Sequence, residues 1–128
     1  MSCLIIGDSI AVGIAMYLTQ CDKQARVGMS STYIERNYRS DKCYDAVIIS
    51  AGSNDPSSPK LRGNLLKIRE NLCASKYIWV APINRIARGH VSYMGNRFRD
   101  VVVTFAPGRD NVHPRNYRTL ANQVRLNF

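Results

Sequence analysis

Ser9, Asp110 and His113 are the residues whose types and spacing could do chemistry. Ser9 stands two residues past the end of the apolar run Cys3-Leu4-Ile5-Ile6-Gly7, after which Ile10, Ile14, Tyr17 and Leu18 recur at helical spacing. The serine is therefore read at a strand-to-helix junction. There its hydroxyl can face out of the carboxyl edge of a sheet, while its N–H belongs to the first, unpaired turn of a helix. Donors aligned in that way can hold a developing oxyanion, so the junction suits a nucleophile in acyl transfer. A serine at the same place can also be a plain N-cap, a role for which its type is preferred. Far along the chain, Asp110 precedes His113 by three residues. A carboxylate so close on one turn can bind one ring nitrogen and fix the tautomer, leaving the other nitrogen to take a proton.

These residues can meet only if the fold gathers them. The strands are read at Cys3 to Gly7, Gln24 to Val27, Asp45 to Ser50, Lys76 to Ala81 and Val101 to Phe105. Ser30 and Ser31 offer N-caps to a brief helix reaching about Tyr38. Pro59 suits the first position of an amphipathic helix whose apolar face is Leu61, Leu65, Ile68 and Leu72. Pro114 opens a final helix with Tyr117, Leu120, Ala121 and Val124 on its apolar face. From Ile83 to Arg99, Gly89 and Gly95 interrupt the pattern, and the segment reads as a substrate-side loop with room for one helix.

The alternation of strand and helix argues for an α/β fold: a three-layer α/β/α sandwich around a five-stranded parallel sheet of flavodoxin-like order 2-1-3-4-5. Residues 1 to 128 form one domain. In that order Ser9, Gly28 and Asn54 follow three neighbouring strands, and the first and third strands flank the crevice where such sheets bind ligands. The fifth strand lies three places from the first, roughly 14 Å at about 4.8 Å per strand. The segment from Ala106 to Val112 can cross that gap at roughly 3.3 Å per residue, so His113 can reach Ser9.

Gly7-Asp8-Ser9, the isolated Gly28, Gly52-Ser53-Asn54-Asp55 and Asp110-Asn111-Val112-His113 resemble, in order and over nearly the whole chain, the four sequence blocks of the SGNH hydrolases, also called GDSL esterases and lipases. Ile10 replaces the leucine of the family name, one apolar residue for another. The resemblance implies that Ser9 is the nucleophile, His113 the general base and then acid, and Asp110 the residue that orients His113. It implies an oxyanion hole made from the N–H of Ser9, the N–H of Gly28 and the side-chain amide of Asn54. It further implies ester hydrolysis without a metal or organic cofactor. A chain this short has little material for a lid or a deep acyl tunnel, which favours a small acyl group such as acetyl on a bulky alcohol, a carbohydrate first of all. Asp8 and Asp55 are read as braces for their loops, and His90 as a surface residue.

Composition narrows the partners. The chain is 45% hydrophobic and 21% charged, as ordinary globular domains are, and no apolar run approaches a membrane span. The formal net charge of +9 is spread along the chain and suits either a solvated surface or a polyanion, so an acidic glycan substrate falls within the expected class. No basic helix with interleaved aromatics is present, which argues against nucleic acid. Cys3, Cys21, Cys43 and Cys73 show neither CxxC nor zinc-ligand spacing and are read as reduced and structural, with Cys3 in the first strand and Cys73 closing a helix face as small buried hydrophobes and a disulfide the alternative. With no basic segment ahead of the first apolar run, the chain reads as cytosolic, or exported by a route it does not encode. A second reading of the whole is a glycan-binding or structural module that keeps the hydrolase fold without the reaction.

Overall fold

The computed structural model describes residues 1–128. Strand and helix alternate as β1 (Cys3–Gly7), α1 (Ser9–Ala15), β2 (Asp22–Ala25), α2 (Ser31–Asn37), β3 (Cys43–Ser50), α3 (Leu61–Glu70), β4 (Cys73–Val80), α4 (Arg85–Phe98), β5 (Val101–Val103) and α5 (Tyr117–Leu126). The sheet has the expected order β2-β1-β3-β4-β5, and every neighbouring pair is parallel.

The period-2 alternation of side chains along a strand divides the core into two layers. Leu4, Ile6, Val47, Ile49 and Trp79 point to one face, where Ile34 of α2, Leu65 and Ile68 of α3 and Val91 and Met94 of α4 cover them. Ile5, Ala46, Ile48, Ile78 and Val80 point to the other, under Ile10 and Ile14 of α1 and Leu120 and Val124 of α5. The three central strands thus carry apolar residues on both faces, as a parallel sheet between two helical layers requires.

Several elements depart from the sequence reading. The segment after Ile83, read as a loop with room for one helix, is helical over the 14 residues Arg85–Phe98. Asn84 caps it by accepting from the N–H groups of Ile86 and Ala87, and Ala87, Val91 and Met94 form a buried stripe along it. Its glycines do not break it: a Cβ on Gly95 would stand 2.4 Å from Val102, so the helix needs a residue without one to lie against β5. Pro59 and Pro114 stand ahead of their helices, which begin at Leu61 and Tyr117. Pro114 instead pairs with Pro107 in an antiparallel bridge.

The cysteines require the main correction. All four are bonded, as Cys3–Cys21 and Cys43–Cys73, with Cα atoms 4.7 and 4.6 Å apart. Register explains it: Cys43 and Cys73 are direct partners across β3 and β4, and Cys21 precedes Asp22, the partner of Leu4. Cys73 is the first residue of β4, not the end of a helix face. No helix is long and apolar enough to cross a membrane.

Candidate active site

The turn from β1 into α1 is forced by close approach. Gly7 has φ +143°, and a Cβ there would lie 1.9 Å from the carbonyl oxygen of Ser50, so β1 and β3 meet at a point where only glycine fits. Asp8 then caps α1: its Oδ1 accepts from the Ile10 N–H at 3.1 Å and from the Ser50 hydroxyl at 2.8 Å. Ser9 is consequently the first residue of the helix and not its cap, so its hydroxyl is free for another partner. Asp8 has no exposed surface, and its Oδ2 has no hydrogen-bond partner. Burial pushes its carboxyl up to about 6, against the downward pull of the bonds from Ser50 and the helix N–H groups.

The partner of Ser9 is His113, whose Nε2 lies 2.9 Å from the serine Oγ. It is carried there on a hairpin arm beyond β5, in which the Gly108 N–H donates to the His113 carbonyl and the Arg115 N–H to that of Ala106, both at 2.8 Å. At the tip, Asn111 takes a left-handed φ of +58°. Asp110 organises the arm: Oδ1 accepts from the N–H groups of Val112 at 3.0 Å and His113 at 2.9 Å, while Oδ2 lies 2.6 Å from the ring Nδ1 of His113. The hydrogen bond from the ring, with the two backbone bonds, holds the Asp110 carboxyl down at about 2. An ionised Asp110 selects the tautomer with Nδ1 protonated, leaving Nε2 with a lone pair aimed at Ser9.

Gly28 and Asn54 lie on loops from the same sheet edge. Gly28 is exposed, with φ +82° and open space where a side chain would stand, so the backbone and not crowding calls for glycine. The Asn54 amide donates to the Met29 carbonyl at 2.9 Å, which joins the loop after β3 to the residue following Gly28. One of its two amide hydrogens is used in that bond, and the second is available to a ligand.

Asp55 ties the loop after β3 to the start of α2, accepting from the Ser31 N–H at 3.1 Å and from the Ser31 hydroxyl at 2.5 Å. Asn64 donates in turn to the Ser31 hydroxyl at 2.9 Å. Asp8 and Asp55 are thus the braces the sequence suggested. His90 stands apart on α4, accepting from the Arg62 Nε at 3.1 Å, and burial followed by the Arg62 charge lowers its pKa.

Sequence reasoning passed over Ser50 and Asn64, and it offered Ser31 only as a helix cap, a role that Ser30 fills. It also passed over Tyr117 as a wall of the site, having assigned that residue only to the buried face of α5. An open groove of about 510 Å³ extends from Ser9 between Tyr17, Tyr117 and Arg115. On the other flank, Ser53, Ile83, Arg85 and Val112 border a depression of about 330 Å³. No group of three or more His, Cys, Asp or Glu side chains is arranged to hold a metal ion.

No family model matches the sequence, and a search of curated proteins finds no match. Among solved structures, the C-terminal catalytic domain of Streptococcus pneumoniae peptidoglycan O-acetyltransferase A, determined with a methylsulfonyl adduct, matches with a TM-score of 0.67 at 16% identity, covering 98% of this chain and 90% of that one. What the two share is the fold. The fold implied by the resemblance to SGNH hydrolases is therefore the fold this chain adopts.

Such an arrangement can carry out acyl transfer in two steps. His113 Nε2 can take the Ser9 proton as the hydroxyl attacks an ester carbonyl, and the resulting imidazolium is stabilised by Asp110. The same proton can then pass to the departing alcohol.

Proposed function

We propose that this protein is a serine esterase that removes a small acyl group, acetyl in the first instance, from a carbohydrate hydroxyl. Ser9 is the nucleophile, His113 the base and then the acid, and Asp110 the orienting carboxylate. The developing oxyanion is met by the N–H groups of Ser9 and Gly28 and the Asn54 amide. The observation that carries this reading is the unbroken relay from Ser9 Oγ to His113 Nε2 at 2.9 Å and from His113 Nδ1 to Asp110 Oδ2 at 2.6 Å. Attack by Ser9 forms the acyl-serine and releases the alcohol. Water activated by His113 then forms the free acid and restores the serine hydroxyl.

A second reading differs only in the last step: the acyl-serine gives its acyl group to another sugar hydroxyl instead of water. The solved domain of similar fold comes from a peptidoglycan O-acetyltransferase, which supports carbohydrate as the alcohol in either reading. Product analysis separates them. With an activated acetyl ester and an added sugar acceptor, the esterase releases acetate in step with ester consumed, whereas the transferase gives an O-acetylated sugar. The two disulfides support action in an oxidising compartment, the exported alternative of the sequence reading over the cytosolic one.

The deciding experiment is intact-mass analysis after treatment with a fluorophosphonate, which reacts with an activated serine. One adduct on the wild type and none on Ser9→Ala is the expected result. An unlabelled wild type that also fails to consume an activated acetyl ester would leave the glycan-binding module as the better account.

A further inference from the structure

The groove that opens beside Ser9 has a composition that catalysis does not need. Its wall contains the Tyr17 ring, 42% exposed, and the ring of Tyr117. A Cβ on Gly13 would stand 2.2 Å from the Tyr117 ring, so the glycine is what lets that ring approach α1 so closely. Arg115 and Asn116 also line a second depression of about 450 Å³ that continues to Thr104, Thr119 and Gln123. Either stretch alone is large enough for a small ligand.

Arg115 is the one charged side chain that lines either stretch; burial, and then the charges of Asp8 and Asp110, raise the pKa of Tyr117 on the wall. Arg115 takes part in none of the chain's ion pairs, and no carboxylate lines either stretch. The Arg118 guanidinium stands 5.6 Å over the Tyr17 ring, adding a second positive group at the rim. Tyrosine faces suit the apolar C–H side of a sugar ring, amides and hydroxyls suit its OH groups, and an unpaired guanidinium suits an anion.

We propose that this groove binds the alcohol half of the substrate, and that this half is an anionic glycan: a sugar whose acylated hydroxyl stands at Ser9 and whose carboxylate or phosphate, on the same or the next residue, meets Arg115. The assignment rests on the reading of Ser9 as the acylated residue, but its binding part can be measured without turnover. In the Ser9→Ala background, affinity is measured by calorimetry for a hexuronate oligosaccharide, a hexose-phosphate oligomer and a neutral oligosaccharide of similar length. One or both anionic ligands bind more tightly than the neutral one, and which of them does so identifies the anion. Adding Arg115→Gln weakens the anionic ligand about fivefold and leaves the neutral ligand little changed. Tyr17→Ala weakens both classes alike. Arg88→Gln, on α4 at the opposite face of the sheet, serves as the control for general positive charge. Equal weakening by Arg88→Gln and Arg115→Gln, or no preference between anionic and neutral ligands, overturns the proposal. Failure of Ser9 labelling with Arg115-dependent glycan binding intact would instead overturn catalysis and leave the groove.

Discussion

Asp110 holds His113 at two points, with one carboxylate oxygen on its backbone N–H at 2.9 Å and the other facing its ring Nδ1 at 2.6 Å. Turn and tautomer therefore depend on the same side chain. Asp110→Asn can keep the backbone bonds through its carbonyl oxygen while losing the charge that stabilises an imidazolium. We expect kcat for an activated acetyl ester to fall by roughly two to four orders of magnitude, with the circular dichroism spectrum unchanged. A loss of only a few fold would mean that Asp110 shapes the arm and nothing more.

In the proposed mechanism, Ser9→Ala removes the group that would form the covalent intermediate. Turnover should drop on the order of a thousandfold or more, and with it any pre-steady-state burst of the leaving alcohol. Stopped-flow release from 4-nitrophenyl acetate reads both quantities.

Asn54 is exposed, and its described side-chain bond is to the Met29 carbonyl. If its amide also meets the oxyanion, Asn54→Ala should lower kcat by roughly a hundredfold while KM changes little. A merely structural role would appear as a lower Tm with kcat nearly retained.

Asp8 gives a pH signature opposite to that of a paired carboxylate. Its folded value of about 6 lies above its ordinary 3.8, so the folded state holds the proton more tightly. The resulting stabilisation is complete below about 3.8 and is lost as pH rises through about 6, an effect on the order of 3 kcal/mol. Asp110, held down at about 2, acts in the other direction: its contribution is present above 3.8 and disappears as pH falls through about 2. Urea unfolding at pH 4, 5 and 7 should therefore show a slope between pH 4 and 6 that Asp8→Asn abolishes. An identical slope in that variant would assign it to another group.

Reduction tests the cysteine pairing. The bridges span 18 and 30 residues, for which chain-entropy arguments give about 3 to 4 kcal/mol each. Protein purified without reductant should show no free thiol on Ellman titration. Adding a phosphine reductant should lower the urea midpoint, and the double variant Cys43→Ser with Cys73→Ser should reproduce part of that fall. Four titratable thiols in the native protein would contradict the pairing.

The sheet order and both helical layers were legible because apolar periodicity is a local property of β3, α3 and α5. The positions of Ser9 and His113 at one edge followed from that order and chain length alone. Less legible were features set by contacts distant in sequence. α4 was only partly legible because Gly95 is a packing requirement imposed by Val102 on the following strand, and a glycine in isolation looks like a break. The cysteines were misread because pairing depends on register: residues 30 apart become partners only after β3 and β4 align. Asp8, not Ser9, caps α1 because the Ser50 hydroxyl holds its carboxylate in place, a relation across 42 residues.

Both disulfides fasten the amino-terminal ends of the strands, whereas the reactive loops leave the carboxyl-terminal ends. This division of labour leaves one pole of the molecule stiff and the other free to vary. Loops at the working pole can lengthen, shorten or change residues to suit a different ligand without disturbing the covalent base. Hydrogen exchange should follow the same gradient, slowest beside the bridged strand starts and fastest along the arm that carries the imidazole.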